Sequence, residues 1–296
     1  MNIHWLAGLI VVGPWVLALL IALMWWLLRG TRHALDGAAR ISALVAIAAA
    51  MAMEIVLSAQ TWMYDVFDSD DVIAVKHAVP LAAAMVALVI ASFPMPRAAR
   101  GIADVRRRTP LSFVTPRWVI IAAIVTILVV SLTIAAGAAS SPDPNGRRTM
   151  YVIALGEVEG GTTIYGWYYS LPSVILLAVL LVAGFLSLVL IAHPPLGVDV
   201  DRERTQRQVR SRNVLLIVTG GLTLHLSTIL LSLGATAGMR LVHAADNPVP
   251  LRAQPTFAAI GPFLQYSGYA VLVIGAVLWM MVAITALPAR RSELPR

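Results

Sequence analysis

The chain has 296 residues, of which 59% are hydrophobic and 12% charged, with a formal charge of +7 and no Cys. A soluble domain carries about 25% charged residues, so an ordinary water-facing surface is excluded, and the lack of Cys excludes disulfides, thiolate metal sites, iron–sulfur clusters and Cys nucleophiles. The positive charge does not point to nucleic acid, because nearly every cation is an Arg at the end of an apolar run; it reads as membrane topology and contact with anionic lipid headgroups. Arg in place of Lys, with Lys76 the sole exception, suggests a high-GC bacterial genome.

A spanning helix needs about 20 mostly apolar residues to cross a hydrocarbon core about 30 Å thick. Seven stretches meet this in chain order: 5–28, 41–64, 72–93, 118–139, 171–192, 214–236 and 263–287. The expected fold is therefore an all-α, seven-transmembrane-helix bundle forming a single integral membrane domain over 1–296. Pro14 should bend the first helix, Pro80 and Pro262 should loosen the outer ends of the third and seventh, and Pro172 falls where a first turn tolerates it. The first segment has no basic leader and no small-residue cleavage site, so it is expected to stay on the chain.

The cations set the orientation. Arg29, Arg32 and Arg40, then Arg97 to Arg117, then Arg202 to Arg212, then Arg290, Arg291 and Arg296 follow helices one, three, five and seven. Lys76, Arg147, Arg148, Arg240 and Arg252 fall on the other side, with the acidic run Asp65, Asp68, Asp70 and Asp71. Basic residues are retained in the cytoplasm, so the N-terminus is expected outside and the C-terminus inside a cell (cytoplasmic) membrane. Trp5, Trp62, Tyr64, Trp167, Tyr168 and Tyr169 then mark the outer interface, and Trp25, Trp26, Trp118 and Trp279 the inner one. Between helices four and five, 150–158 and 162–169 are rich in β-branched and aromatic residues. They predict a small extracytoplasmic β-hairpin with its turn at Glu159-Gly160-Gly161, serving as a lid, a docking element or an ordered connector. Helices one to three and five to seven run in the same sense, which allows two parallel three-helix repeats joined by the fourth.

Ionisable residues in the middle of a membrane are costly and are functional candidates by default. Glu54 and His225 both fall about 15 Å deep at 1.5 Å per residue, each within a polar stripe at helical spacing: Glu54, Ser58 and Thr61; Gly221, His225, Thr228 and Ser232. Gly261, Gln265 and Gly268 make a smaller stripe on the seventh helix, with Tyr269 close by. These residues suggest a polar cavity in the outer half of the bundle where Glu54 and His225 bind a cation or polar substrate or relay a proton, or else interhelical hydrogen-bond glue. His4 and His77 share a depth and could ligate haem or copper, although a lone interfacial His is the commoner case. The acidic run has oxygen ligands for Ca²⁺ or Mg²⁺ without EF-hand spacing, and no cofactor is expected.

Nucleotide-binding, zinc-protease and nucleophile-elbow motifs are absent, as is a Lys in the last helix for a retinal Schiff base. No motif names an enzymatic reaction. The expected function is therefore a small permease or the membrane subunit of a transport or export complex. The alternatives are a non-transporting accessory or sensor protein, and a haem- or copper-binding redox protein. The bilayer is the certain partner on this reading, and the Arg-rich inner loops, Arg106-Arg107-Arg108 above all, could also dock a cytoplasmic or membrane protein.

Overall fold

The computed structural model describes residues 3–29, 35–60, 75–93, 109–155, 158–194, 199–243 and 251–287. Its helices are α1 (Ile3–Arg29), α2 (Gly37–Gln60), α3 (Val79–Ser92), α4 (Pro116–Ala138), α5 (Trp167–Ala192), α6 (Val200–Ala237) and α7 (Gly261–Ile284). Five of them are long and apolar enough to cross a membrane; 12–28 of α1 and 76–92 around α3 are shorter apolar stretches. Outward-facing residues such as Leu20, Ile127, Val182 and Phe263 are exposed large hydrophobics, a surface that suits lipid and not water.

The bundle is built around α6. Of its most apolar stretch 89% is buried, against 28% to 39% in the other four long helices, so protein surrounds it where lipid would surround its neighbours. It packs most closely on α7, then on α4, α3 and α5, while α2 lies on α3 and α1 on α7. Glycine makes the α6–α7 approach possible. Gly261, Gly268 and Gly275 recur every seven residues along α7, and a Cβ at Gly268 or Gly275 would lie 2.8 Å from Leu231 or Leu224. Small residues at such a seam let two backbones come close, and contact then replaces the missing hydrophobic drive between helices in lipid.

The sixth helix and the place of Trp279 differ from the sequence reading. The sixth helix begins 14 residues earlier than the apolar stretch at 214–236, capped by the Asp199 side chain on the Arg202 N–H. At 38 residues it is about 57 Å long, so its Arg-rich first turns extend past a hydrocarbon core about 30 Å thick. Trp279, expected at the inner interface, is instead fully buried: its indole N–H donates to the Ile217 carbonyl at 3.1 Å, and its ring lies 6.3 Å from Trp15. The glycine at 220 makes room for it, since a Cβ there would sit 2.4 Å from the ring.

The hairpin is present with a different turn. Strands β1 (Ser141–Pro142), β2 (Arg148–Leu155) and β3 (Val158–Thr163) form an antiparallel sheet, and Leu155 pairs with Val158. Gly160 and Gly161 are thus inside β3, opposite Ile153 and Val152. The glycines serve packing, since a Cβ on Gly160 would be 2.7 Å from Leu241. Leu241 belongs to a second small sheet, β4 (Leu241–His243) paired with β5 (Leu251–Ala253). Tyr151 ties the two together, with its ring 5.4 Å from Phe257 and its hydroxyl 3.2 Å from that of Thr256. Trp167 to Tyr169, read as strand, open α5.

Candidate functional site

Three polar elements meet where the strands join the helix ends. Pro80 lies in the first turn of α3 and has no N–H to return to the carbonyls just before it, and a 3₁₀ turn, Lys76–Ala78, precedes the helix. The His77 carbonyl accepts from His225 Nδ1 at 2.7 Å. That partner fixes the Nδ1–H tautomer, leaving Nε2 as an acceptor 3.4 Å from the Tyr165 hydroxyl. Tyr165 reaches the core because the backbone after β3 runs beneath β2: Ile164 N–H bonds the Thr149 carbonyl, and a Cβ at Gly166 would be 2.2 Å from the Arg148 carbonyl. Only glycine allows that approach.

The resulting cluster is aromatic and nearly sealed. His77 is edge-on to Tyr165 and Tyr169 with centroids 5.0 and 5.7 Å away, and Tyr165 to His225 at 6.0 Å. Lys76 Nζ lies 5.3 Å from the Tyr169 ring, within cation–π range. His77, Tyr165, Tyr169, Ser173, Thr133 and His225 are all buried, and the hydroxyls of Ser173 and Thr133 adjoin that of Tyr165. Burial pushes the Tyr165 hydroxyl's pKa up, so it remains an O–H donor.

Glu54 sits elsewhere. It continues the buried face of α2 formed by Ala43, Ala46, Ile47 and Ala50, and is itself only 7% exposed. It makes no hydrogen bond or ion pair among the described residues, and its Oε2 is sealed without a partner. Both nitrogens of His225 are taken by His77 and Tyr165, so the structure does not join Glu54 to His225. One turn beyond Glu54, a groove of about 380 Å³ opens between α2, α3 and α5, lined by apolar residues including Met53, Leu57, Ala78 and Leu176.

The remaining stripe residues divide. Thr228 donates to the His225 carbonyl at 2.8 Å, and the Ser232 carbonyl accepts from Thr236; these bonds stay within α6. Gly221 meets Ala84 of α3. On α7, Gly261 and Gly268 are seam residues, Gln265 is exposed and Tyr269 half-buried, so that stripe is a packing seam. Thr61 and the acidic run lie outside the described residues, as do the side chains of Ser58 and His4. No group of three or more His, Asp or Glu able to hold a metal occurs among the described residues.

Sequence reading isolated His77 as an interfacial residue and missed Tyr165, Thr133 and Ser173 altogether. Tyr169 and Ser173 stand four apart, one helical turn, but the run Trp167-Tyr168-Tyr169 reads equally well as an interface belt. The Gly166 that threads Tyr165 inward carries no signal without its neighbours.

Fold and site together define a helical protein suited to a membrane, with a small sheet over one end and a buried His–Tyr cluster beneath it. No protein-family model, curated protein or solved structure matches the chain.

Proposed function

We propose that the chain crosses the cytoplasmic membrane seven times, N-terminus outside, as a small permease or as the membrane subunit of a transport or export complex. In this reading α1 and the short α3 with its preceding turn complete the set begun by the five long helices. The Arg-rich ends that gather on α6 then face the cytoplasm, because Arg near helix ends is retained there. A single Cys introduced at Gly146 of this Cys-free chain should react with an impermeant maleimide in intact cells, and one at Asp201 only after lysis. The opposite labelling pattern would reverse the orientation.

The observation that carries the transport reading is Glu54. A carboxyl group buried at membrane depth without a partner has to take its counter-charge, a proton or a cation, from outside the chain. Interhelical glue predicts a hydrogen-bond partner instead, and among the described residues Glu54 has none. The apolar groove beside the same stretch of α2 supplies a lateral approach.

Proteoliposomes loaded with a pH-sensitive or Na⁺-sensitive dye test this. With an imposed membrane potential the parent should carry protons or Na⁺ above protein-free vesicles, and Glu54→Gln should fall to their leak rate. Glu159→Gln, an exposed change on β3, should retain the parent rate. Equal flux through parent and Glu54→Gln would remove Glu54 from any pathway. If the parent moves neither ion, the accessory or sensor reading takes precedence; the apolar residues Val152 and Val242, exposed on the two outer sheets, favour it.

A further inference from the structure

The charged start of α6 gathers the ends of its neighbours. Arg207 donates to the Pro194 carbonyl just after α5, Arg210 Nη2 to the Ser92 carbonyl at the end of α3 at 3.0 Å, and Asn213 Nδ2 to the Thr285 hydroxyl just after α7 at 2.8 Å. The Thr285 carbonyl in turn accepts from the Leu35 N–H at 2.8 Å, which brings the approach to α2 to the same corner. Asp36 completes the set: its Oδ2 accepts from Arg202 Nη2 at 2.8 Å, and from Arg202 Nε and Gln206 Nε2 at 3.2 Å.

These ties are unequal. Those to α3, α5 and α7 are buried or half-buried, whereas the side chains of Arg202 and Asp36 are 68% and 55% exposed. An exposed ion pair contributes little and is screened by salt. The next residue is Gly37, at φ +54 with open space around it, a conformation glycine adopts without strain and one suited to a hinge at a helix end. Behind the ties a narrow space of about 10 Å³ separates Ala39 and Ala43 of α2 from Ala91, Ile191 and Val214. We propose that the start of α6 is a latch on the Arg-rich end of the bundle: release of Asp36, with Leu35 still held at Thr285, lets α2 turn at Gly37 and widens this space into an opening along the buried face of α2. Glu54 lies on that face, about 16 Å beyond Ala43. The motion stands on the geometry of the ties; its use in carrying an ion to or from Glu54 rests on the transport reading above.

Thiol labelling of the full chain in lipid nanodiscs tests the latch, with a small charged methanethiosulfonate as the probe. Ala43→Cys, at a buried position beside the narrow space, should react slowly. Adding Asp36→Asn should speed the reaction about fivefold, the scale of one exposed ion pair, and about 1 M NaCl should do the same without it. Adding Arg204→Gln, an exposed change on the same helix, should leave the rate alone. Leu222→Cys, fully buried on α6, should stay unreactive throughout, which separates a local opening from general unfolding. Hydrogen exchange over residues 37–46 of the unaltered chain gives the same answer without any variant: faster exchange at high salt supports the latch. Labelling of Ala43→Cys that is unchanged by both Asp36→Asn and salt, or exchange that is equal at both salt concentrations, would overturn it. A latch that opens in a chain whose ion flux is the same with and without Glu54→Gln would keep the motion and remove only its role in transport.

Discussion

Arg207→Leu is expected to destabilise the folded chain by about 3 kcal/mol. Arg207 is 2% exposed, and its guanidinium donates to the Pro194 carbonyl and to Glu203 while lying 5.8 Å from the Phe113 ring. It therefore fastens the end of α5 and the segment before α4 to the central helix. Removing one partner of a buried ion pair costs about 3–5 kcal/mol because the other charge is stranded. The lower end applies because Glu203 is 27% exposed and can recover water. Unfolding in mixed SDS micelles, followed by Trp fluorescence, measures the change. Arg204→Leu, at an exposed position of the same helix, should stay within about 0.5 kcal/mol. Adding Glu203→Leu to the Arg207 variant should cost less than the sum of the single changes. An Arg207 variant as stable as the Arg204 one would show that the staple contributes nothing.

Gly221→Leu should prevent accumulation of a monodisperse protein. A Cβ at this position would lie 2.3 Å from the Ala84 Cβ and 3.4 Å from the Pro80 carbonyl. Both atoms are fixed to the α3 backbone, so no side-chain rotation relieves the overlap. Even Ala should cost about 1–3 kcal/mol through overpacking, and Leu forces α3 away from α6. Because His225 lies one turn along α6 and bonds the His77 carbonyl just before α3, the same displacement opens the His–Tyr cluster. Gly13→Ala is the control, since its Cβ would meet nothing within 4 Å. Size-exclusion profiles in detergent should show one sharp peak for Gly13→Ala, a weakened one for Gly221→Ala and none for Gly221→Leu. A sharp peak from the Leu variant would mean that α3 and α6 are less tightly held than their spacing implies.

Legibility varied with the range of the interaction. Hydropathy averages over about 20 residues, so the helices of 116–138 and 167–192 were readable to within a few positions. The Arg-rich start of α6 was not, because hydropathy is blind to a helix that continues out of an apolar stretch into a charged one. The hairpin was readable from its β-branched strands, but the glycines expected at its turn lie within β3, where Gly160 admits Leu241 and Gly161 admits Met150. Trp279 looked like an interface anchor because its neighbours were read along one helix only. Its partner is Gly220, on another helix.

The candidate site divides in the same way. Composition and the cost of charge in lipid singled out Glu54 and His225, since each property belongs to one residue in one apolar segment. Their depth suggested a pair, but depth leaves rotation about each helix axis undetermined. Packing decides rotation: Ala43, Ala46 and Ala50 turn Glu54 toward the face of α2 that packs in the bundle, while Gly221 turns His225 toward α3 and Tyr165. By itself the sequence determined the solvent, because transfer from water to lipid is a sum over residues. Which polar group meets which was decided only by the tertiary structure, because a hydrogen bond needs two atoms within about 3 Å and local sequence does not encode that distance across helices.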